Sequence, residues 1–126
     1  MNEEAFLEAA ENGDFDIVQS LLDEGIDPDT CDEHLRTALL KSAKHGHVDI
    51  VQLLLQNGAD ANRRDNRGTT PLYWASSNGF EDIVQLLISN HCDVDIMDNR
   101  GWSAKDQAAS HHFSGIVDML EQARSG

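Results

Sequence analysis

Asp65 to Asn90 reads DNRGTTPLYWASSNGFEDIVQLLISN and contains one complete structural unit. It opens with the turn Asp65-Asn66-Arg67-Gly68, where Gly68 can take the positive φ of a tight turn at no steric cost. Thr70 offers a side-chain oxygen to cap free backbone N–H groups. Pro71, at the first helical position, loses nothing by lacking an N–H. A short helix is predicted over Leu72–Ser77, ended by Gly79 in a left-handed turn. A second helix is predicted from Glu81-Asp82, whose charge suits a helix N-terminus. Ile83, Leu86 and Leu87 at i, i+3 and i+4 form its apolar stripe. The unit is turn, helix, turn, helix.

Outward from this stretch, the unit recurs. Gly13, Gly46 and Gly79 are 33 residues apart, and the same step relates Ile17, Ile50, Ile83 and Ile116. Val18, Val51, Val84 and Val117 keep it, as do Leu21, Leu54, Leu87 and Leu120, while Asp32, Asp65 and Asp98 mark the turns. A step of 33 residues with a Thr-Pro-Leu helix start resembles the ankyrin-repeat family. Thr70-Pro71-Leu72, Asn78-Gly79, Ile83-Val84, Leu86-Leu87 and Gly58-Ala59-Asp60-Ala61-Asn62 carry the resemblance, which covers about residues 3–122. The expected fold is an all-α solenoid of helix-turn-helix units joined by short β-turn fingers. It forms one domain over residues 1–126, with repeats near 1–31, 32–64, 65–97 and 98–124. One repeat cannot bury its apolar faces alone; stacked repeats share a continuous core.

Of the net charge of −14, residues 1–33 carry −12, with no Lys or Arg, and the remaining 93 residues carry −2. Such acidity argues against a nucleic-acid backbone or an anionic membrane as partner. No apolar run approaches bilayer length, and no signal-peptide pattern follows Met1. Cys31 and Cys92 lie two repeats apart, too far for a bond in a stack. They are read as free thiols of a reducing compartment, cytoplasm or nucleus.

The first repeat lacks an opening turn; Ile17, Val18, Leu21 and Leu22 are its expected inner stripe, and acids cover its outside as a terminal repeat requires. In the second, Leu35 stands where Gly68 and Gly101 stand later. A left-handed Leu costs about 1–2 kcal/mol, so an altered turn is expected near His34-Leu35. His91 and His112 replace glycines. In the fourth repeat, Lys105 and Asp106 stand at the positions of Leu72 and Tyr73, which reads as a C-terminal cap, with fraying expected from Glu121 to Gly126.

No catalytic constellation is present. His45 and His47, and His111 and His112, lack the spacing of a zinc site. Asp27-Pro28-Asp29 and Asp93-Val94-Asp95 lack the glycine and ligand count of a calcium loop. No metal and no cofactor is implied. The informative pattern is where the bases fall: Arg36, Lys41, Lys44, Arg63, Arg64, Arg67, Arg100 and Lys105 lie in turn or first-helix columns, and only Arg124, in the tail, does not. The resemblance implies that turns and first helices form the concave side of the stack. Trp74 shares a column with Lys41, and Trp102 one with Arg36 and Thr69. Both columns read as exposed, so removing either indole is expected to cost less than about 1 kcal/mol of stability. Tyr73 shares a column with Leu7 and Leu40 and reads as half-buried. Trp, Tyr and Arg are the types enriched at binding hot spots.

The expected function is therefore protein–protein recognition by a monomer through the concave face. Trp74, Trp102, Tyr73, Arg64, Arg67 and Arg100 stand at its centre, and Lys41, Lys44 and His45 toward the N-terminal side. The partner is expected to be a protein segment with acidic and apolar residues, neither nucleic acid nor membrane. The resemblance implies an adaptor or a stoichiometric inhibitor, for example of protein kinases. Alternatives are a regulatory domain of a larger protein, a structural spacer, or a substrate of an asparagine hydroxylase, modified at Asn62 in the family-like segment Gly58–Asn62.

Overall fold

The 33-residue step becomes a stack of paired helices in the computed structural model, which describes residues 2–125; the expected end points Met1 and Gly126 lie outside the described residues. The pairs are α1 (Glu3–Asn12) with α2 (Phe15–Asp23), α3 (Ala38–Lys44) with α4 (Val48–Gln56), α5 (Pro71–Ser77) with α6 (Glu81–Ser89), and α7 (Ala104–Ser110) with α8 (Ser114–Ser125). First helices pack in the order α1, α3, α5, α7 and second helices in the order α2, α4, α6, α8, giving two layers and no sheet among the described residues. The core runs through both layers. Ile50, Val51, Leu54, Ile83, Val84 and Leu87 are each essentially inaccessible to solvent.

Local chemistry places each element. Thr37, Thr70 and Ser103 hold extended backbone before α3, α5 and α7, and their hydroxyls accept the N–H groups of Leu40, Tyr73 and Asp106. Asp106 answers Ser103 with its own carboxylate, closing a capping box that compensates for the missing proline in the last repeat. In each finger one aspartate ties the turn. Oδ1 of Asp32 accepts the N–H groups of His34 and Arg36, that of Asp65 accepts Arg67 and Thr69, and that of Asp98 accepts Arg100 and Trp102. Neighbouring fingers are laced together. Asn66 donates its backbone N–H to the His34 carbonyl, and Asn99 its own to the Arg67 carbonyl, both at 2.9 Å.

The glycines after the first helices have a second role that periodicity alone does not reveal. The side chain opening the next repeat's second helix lies flat on each of them: His47 on Gly13, Phe80 on Gly46, Phe113 on Gly79. An added Cβ would fall 2.8–3.0 Å from the ring. Left-handed φ and close approach thus both select glycine at these positions.

Three expectations are corrected. Ile17 is 46% exposed, unlike Ile50, Ile83 and Ile116, because among the described residues a neighbouring second helix packs on only one side of α2; Leu21 and Leu22 are only half-buried for the same reason. The second turn is not rebuilt. Leu35 holds φ 64°, close to the 79° of Gly68 and 86° of Gly101, and donates its N–H to the Asp32 carbonyl just as those glycines do to Asp65 and Asp98. The side chain is 52% exposed, and Cys31 stands where Arg64 crowds Gly68, so the turn carries the strain of a left-handed leucine without that arginine beside it. Third, α8 continues through Ser125 instead of fraying from Glu121, with Lys105 pairing Glu121 at 2.9 Å and Arg124 pairing Asp95 at 3.3 Å. Arg124 therefore belongs to a second helix.

Leu35→Gly is expected to raise stability by up to about 1 kcal/mol. Relief of left-handed strain of about 1–2 kcal/mol exceeds the unfolded-state freedom of about 0.4–1 kcal/mol that glycine adds. A lower midpoint in denaturant than the parent protein would show that the half-exposed leucine packs more than it strains.

Candidate functional site

On the finger and first-helix side, Trp74 is the hub. It is half-buried on α5, its Nε1–H donates to the buried Thr69 hydroxyl at 2.8 Å, its ring meets Tyr73 edge-on at 5.3 Å, and the Lys44 ammonium lies over it at 4.4 Å. Hydrogen bond, edge contact and cation–π contact fix the indole in one pose. Two hollows flank it. One, of about 410 Å³, is lined by Arg67, Tyr73, Trp74, Asp98, Asn99 and Arg100. The other, of about 320 Å³, is lined by Arg36, Leu40, Lys44, Asn66, Arg67 and Trp74. Tyr73, Trp74, Arg67, Arg100 and Lys44 are thus brought together as expected, with Arg67 shared by both hollows.

The other expected site residues are placed differently. Lys41 is only 9% exposed. Its ammonium pairs with Asp32 at 3.3 Å and Glu11 at 3.5 Å, so it is a structural ion and not a contact residue. This overturns the reading of its column as exposed: the fourth first-helix position faces the neighbouring repeat, and Lys41 is accommodated there because two carboxylates meet it. Trp74 in the same column is half-buried, so Trp74→Ala is expected to cost more stability than an exposed column would imply. Trp102 is 47% exposed but lines neither hollow. Arg64 is exposed, yet its guanidinium spans two fingers, donating to the carbonyls of Gly68 at 3.3 Å and Met97 at 2.9 Å. His45 lies at the end of α3 beside Glu11, its ring stacked 6.3 Å from that of His47 and away from Trp74's hollows. Asn62 is exposed, and its Oδ1 accepts the Asp93 N–H at 2.8 Å; Asp29 does the same for Asp60 one repeat earlier, so this column is an inter-repeat strut.

Electrostatics separates the bases into two groups. Arg36, Lys41, Arg63, Lys105 and Arg124 each have a carboxylate partner. Among the described residues Lys44, Arg64, Arg67 and Arg100 make no salt bridge. Asp32 and Asp98, at the base of two of the three fingers, are held ionised. Burial would raise the Asp32 carboxyl, but hydrogen bonds from the Arg36 N–H and guanidinium, the His34 N–H and the Lys41 ammonium outweigh it and bring the pKa down to about 2. Burial likewise opposes Asp98, where the Trp102 N–H, the Tyr73 hydroxyl and the Arg100 N–H win and lower it. Neither the Lys41–Asp32–Arg36 cluster nor the Tyr73–Asp98 bond, 2.9 Å long, was legible in the sequence, though Asp32 and Arg36 at i and i+4 were a signal.

Tyr73 is the single tyrosine, so its ionisation can be read directly by absorbance. Burial, then the hydrogen bond to Asp98, push its pKa from 10.0 to about 12. Because the folded value is raised, the protonated phenol's contribution to stability is intact below pH 10.0 and is lost as pH rises through about 12. The expected tyrosinate midpoint is therefore near 12, or at alkaline unfolding if that comes first, and Asp98→Asn is expected to lower it. A midpoint near 10.0 in the folded protein would show the hydroxyl open to solvent.

A family model described as ankyrin repeats (3 copies) matches residues 6–98 and 55–123. The chain belongs to the ankyrin-repeat family. Comparison with curated proteins returns no significant match. Ankyrin repeats are generally protein–protein interaction modules, a non-enzymatic family. Cys31 and Cys92 are both unpaired thiols, and burial, with the Asp93 charge beside it, raises Cys92 to about 11. No helix among the described residues is long and apolar enough to cross a membrane.

Proposed function

We propose that this ankyrin-repeat protein recognises another protein through its concave, finger-side face, with Trp74, Tyr73, Arg67, Arg100 and Lys44 at the centre and Trp102 and Arg64 at the flank. The partner segment carries acidic and apolar residues, and the module acts without catalysis, as an adaptor or stoichiometric inhibitor in the cytoplasm or nucleus. One observation carries the reading: in a chain of net charge −14, the four bases without an acid partner among the described residues are confined to Trp74 and the adjoining fingers. Cations without a salt-bridge partner in an acidic protein steer an acidic partner, and a fixed, half-exposed indole supplies the apolar anchor.

Recovery of partners from native lysate tests this, with wild type compared against Trp74→Ala and an Arg67→Glu, Arg100→Glu double variant, each first shown to be folded by thermal melt. Trp74→Ala is expected to weaken binding by about 2 kcal/mol or more, roughly 30-fold. Charge reversal is expected to slow association and abolish its salt dependence. Partners retained at wild-type strength by both variants would move the functional surface elsewhere.

A further inference from the structure

The hollows either side of Trp74 are one feature repeated. Asp98, Asn99, Arg100 and Tyr73 of the larger stand one 33-residue step beyond Asp65, Asn66, Arg67 and Leu40 of the smaller. Each lies between two fingers and over a first helix. Each has cations without a salt bridge in its wall, Arg67 and Arg100 in one and Lys44 and Arg67 in the other, where Arg36 is already paired with Asp32. Each wall also holds one carboxylate whose hydrogen bonds are directed to its own finger, Asp65 to the N–H groups of its turn and Asp98 to its turn and Tyr73, and whose charge offsets part of the cationic field. What remains for a ligand is a pair of cationic recesses separated by the indole of Trp74.

A periodic surface of this kind is matched by a ligand of the same period. Packed helices stand ~8–10 Å apart. A polyproline II strand has three residues per turn and rises ~3.1 Å per residue, so its residues i and i+3 face the same way about 9 Å apart. In a β-strand the same two residues face opposite sides. The polyproline II geometry is also the one that aromatic ridges receive at low entropic cost.

We propose that this face, taken as the binding face as above, reads a polyproline II segment carrying carboxylates at i and i+3. One carboxylate enters each recess, and an apolar residue or proline between them lies on Trp74. Arg67 faces both carboxylates and Arg100 only one.

Short labelled peptides titrated against the intact chain by fluorescence anisotropy test this. One has two glutamates separated by two prolines, the second has them separated by a single proline at equal length and charge, and the third replaces both glutamates by lysine. The first is expected to bind about tenfold tighter than the second, the worth of one well-placed charged hydrogen bond, and the third not to bind. Arg67→Gln is expected to weaken the first peptide more than Arg100→Gln does, and to reduce its preference over the second. Equal binding of the two glutamate peptides would mean an unspecific cationic patch. Binding of the lysine peptide, or of none at millimolar concentration, would also overturn the proposal. If the peptides fail to discriminate while native partners are lost on Trp74→Ala, the spacing rule falls and the binding face stands; if native partners survive Trp74→Ala, the face itself is misassigned.

Discussion

Leu87→Ala is expected to destabilise the protein by about 2–5 kcal/mol, a large part of the roughly 5–15 kcal/mol that holds a domain of this size folded. Leu87 is fully buried on α6, and that helix packs on α4, α5 and α8, so truncation opens a cavity that no flexible side chain or solvent can close. The column supplies its own control. Leu21 occupies the same register on α2 but is half-buried, with a neighbouring repeat on one side only, so Leu21→Ala is expected to cost distinctly less. Chemical denaturation of the two variants checks this. Equal losses, or a loss under about 1 kcal/mol at Leu87, would mean that the stack does not share its core between repeats.

The fold was legible because its determinants are local and repeated. Thr70-Pro71, Gly79 and the Ile83–Leu87 stripe each have a one-to-one structural reason, and three or four copies in register leave little freedom. The misreadings fall where a position depends on what lies in the next repeat. Ile17 matches Ile50 in every respect except the presence of a preceding neighbour. Leu35 keeps the glycine turn because the lacing of fingers, through Asn66 to His34, and the Asp32 carboxylate over-determine the backbone.

The site was legible in composition but not in arrangement. Trp74, Tyr73, Arg67, Arg100 and Lys44 were all named by residue type and column, and they line two adjoining hollows, which is proximity and not yet a function. Lys41 failed because a column average treats lysine as a marker of exposure, whereas Asp32 and Glu11 compensate it in the interior. Such a pairing joins two repeats and leaves no mark in the period of either. The anchoring of Arg64 was hidden for the related reason that its acceptors are backbone carbonyls of its own finger and the next.

Gly79→Ala is expected to be almost as damaging as loss of a core leucine, although it adds only one methyl group. Gly79 holds φ 79°, where an L-residue costs about 1–2 kcal/mol, and its new Cβ would meet the Phe113 ring at 2.8, 2.9 and 3.2 Å. The ring is half-buried against the core and seated over Gly79, so it can yield only by shifting α8, at an overpacking cost of about 1–3 kcal/mol. Alanine's reduced unfolded-state freedom returns about 0.4–1 kcal/mol, leaving a net loss of roughly 2–4 kcal/mol. Gly58 separates the two causes: it holds φ 86° after α4 with nothing within 4 Å of the added Cβ, so Gly58→Ala carries the backbone cost alone. In a Phe113→Leu background, Gly79→Ala is expected to fall toward the Gly58→Ala value, a coupling of about 0.5–3 kcal/mol in a double-mutant cycle. Equal costs at Gly58 and Gly79, with no coupling to Phe113, would mean that the ring moves freely. The glycine column would then record only a turn, and not the contact by which each repeat seats the next.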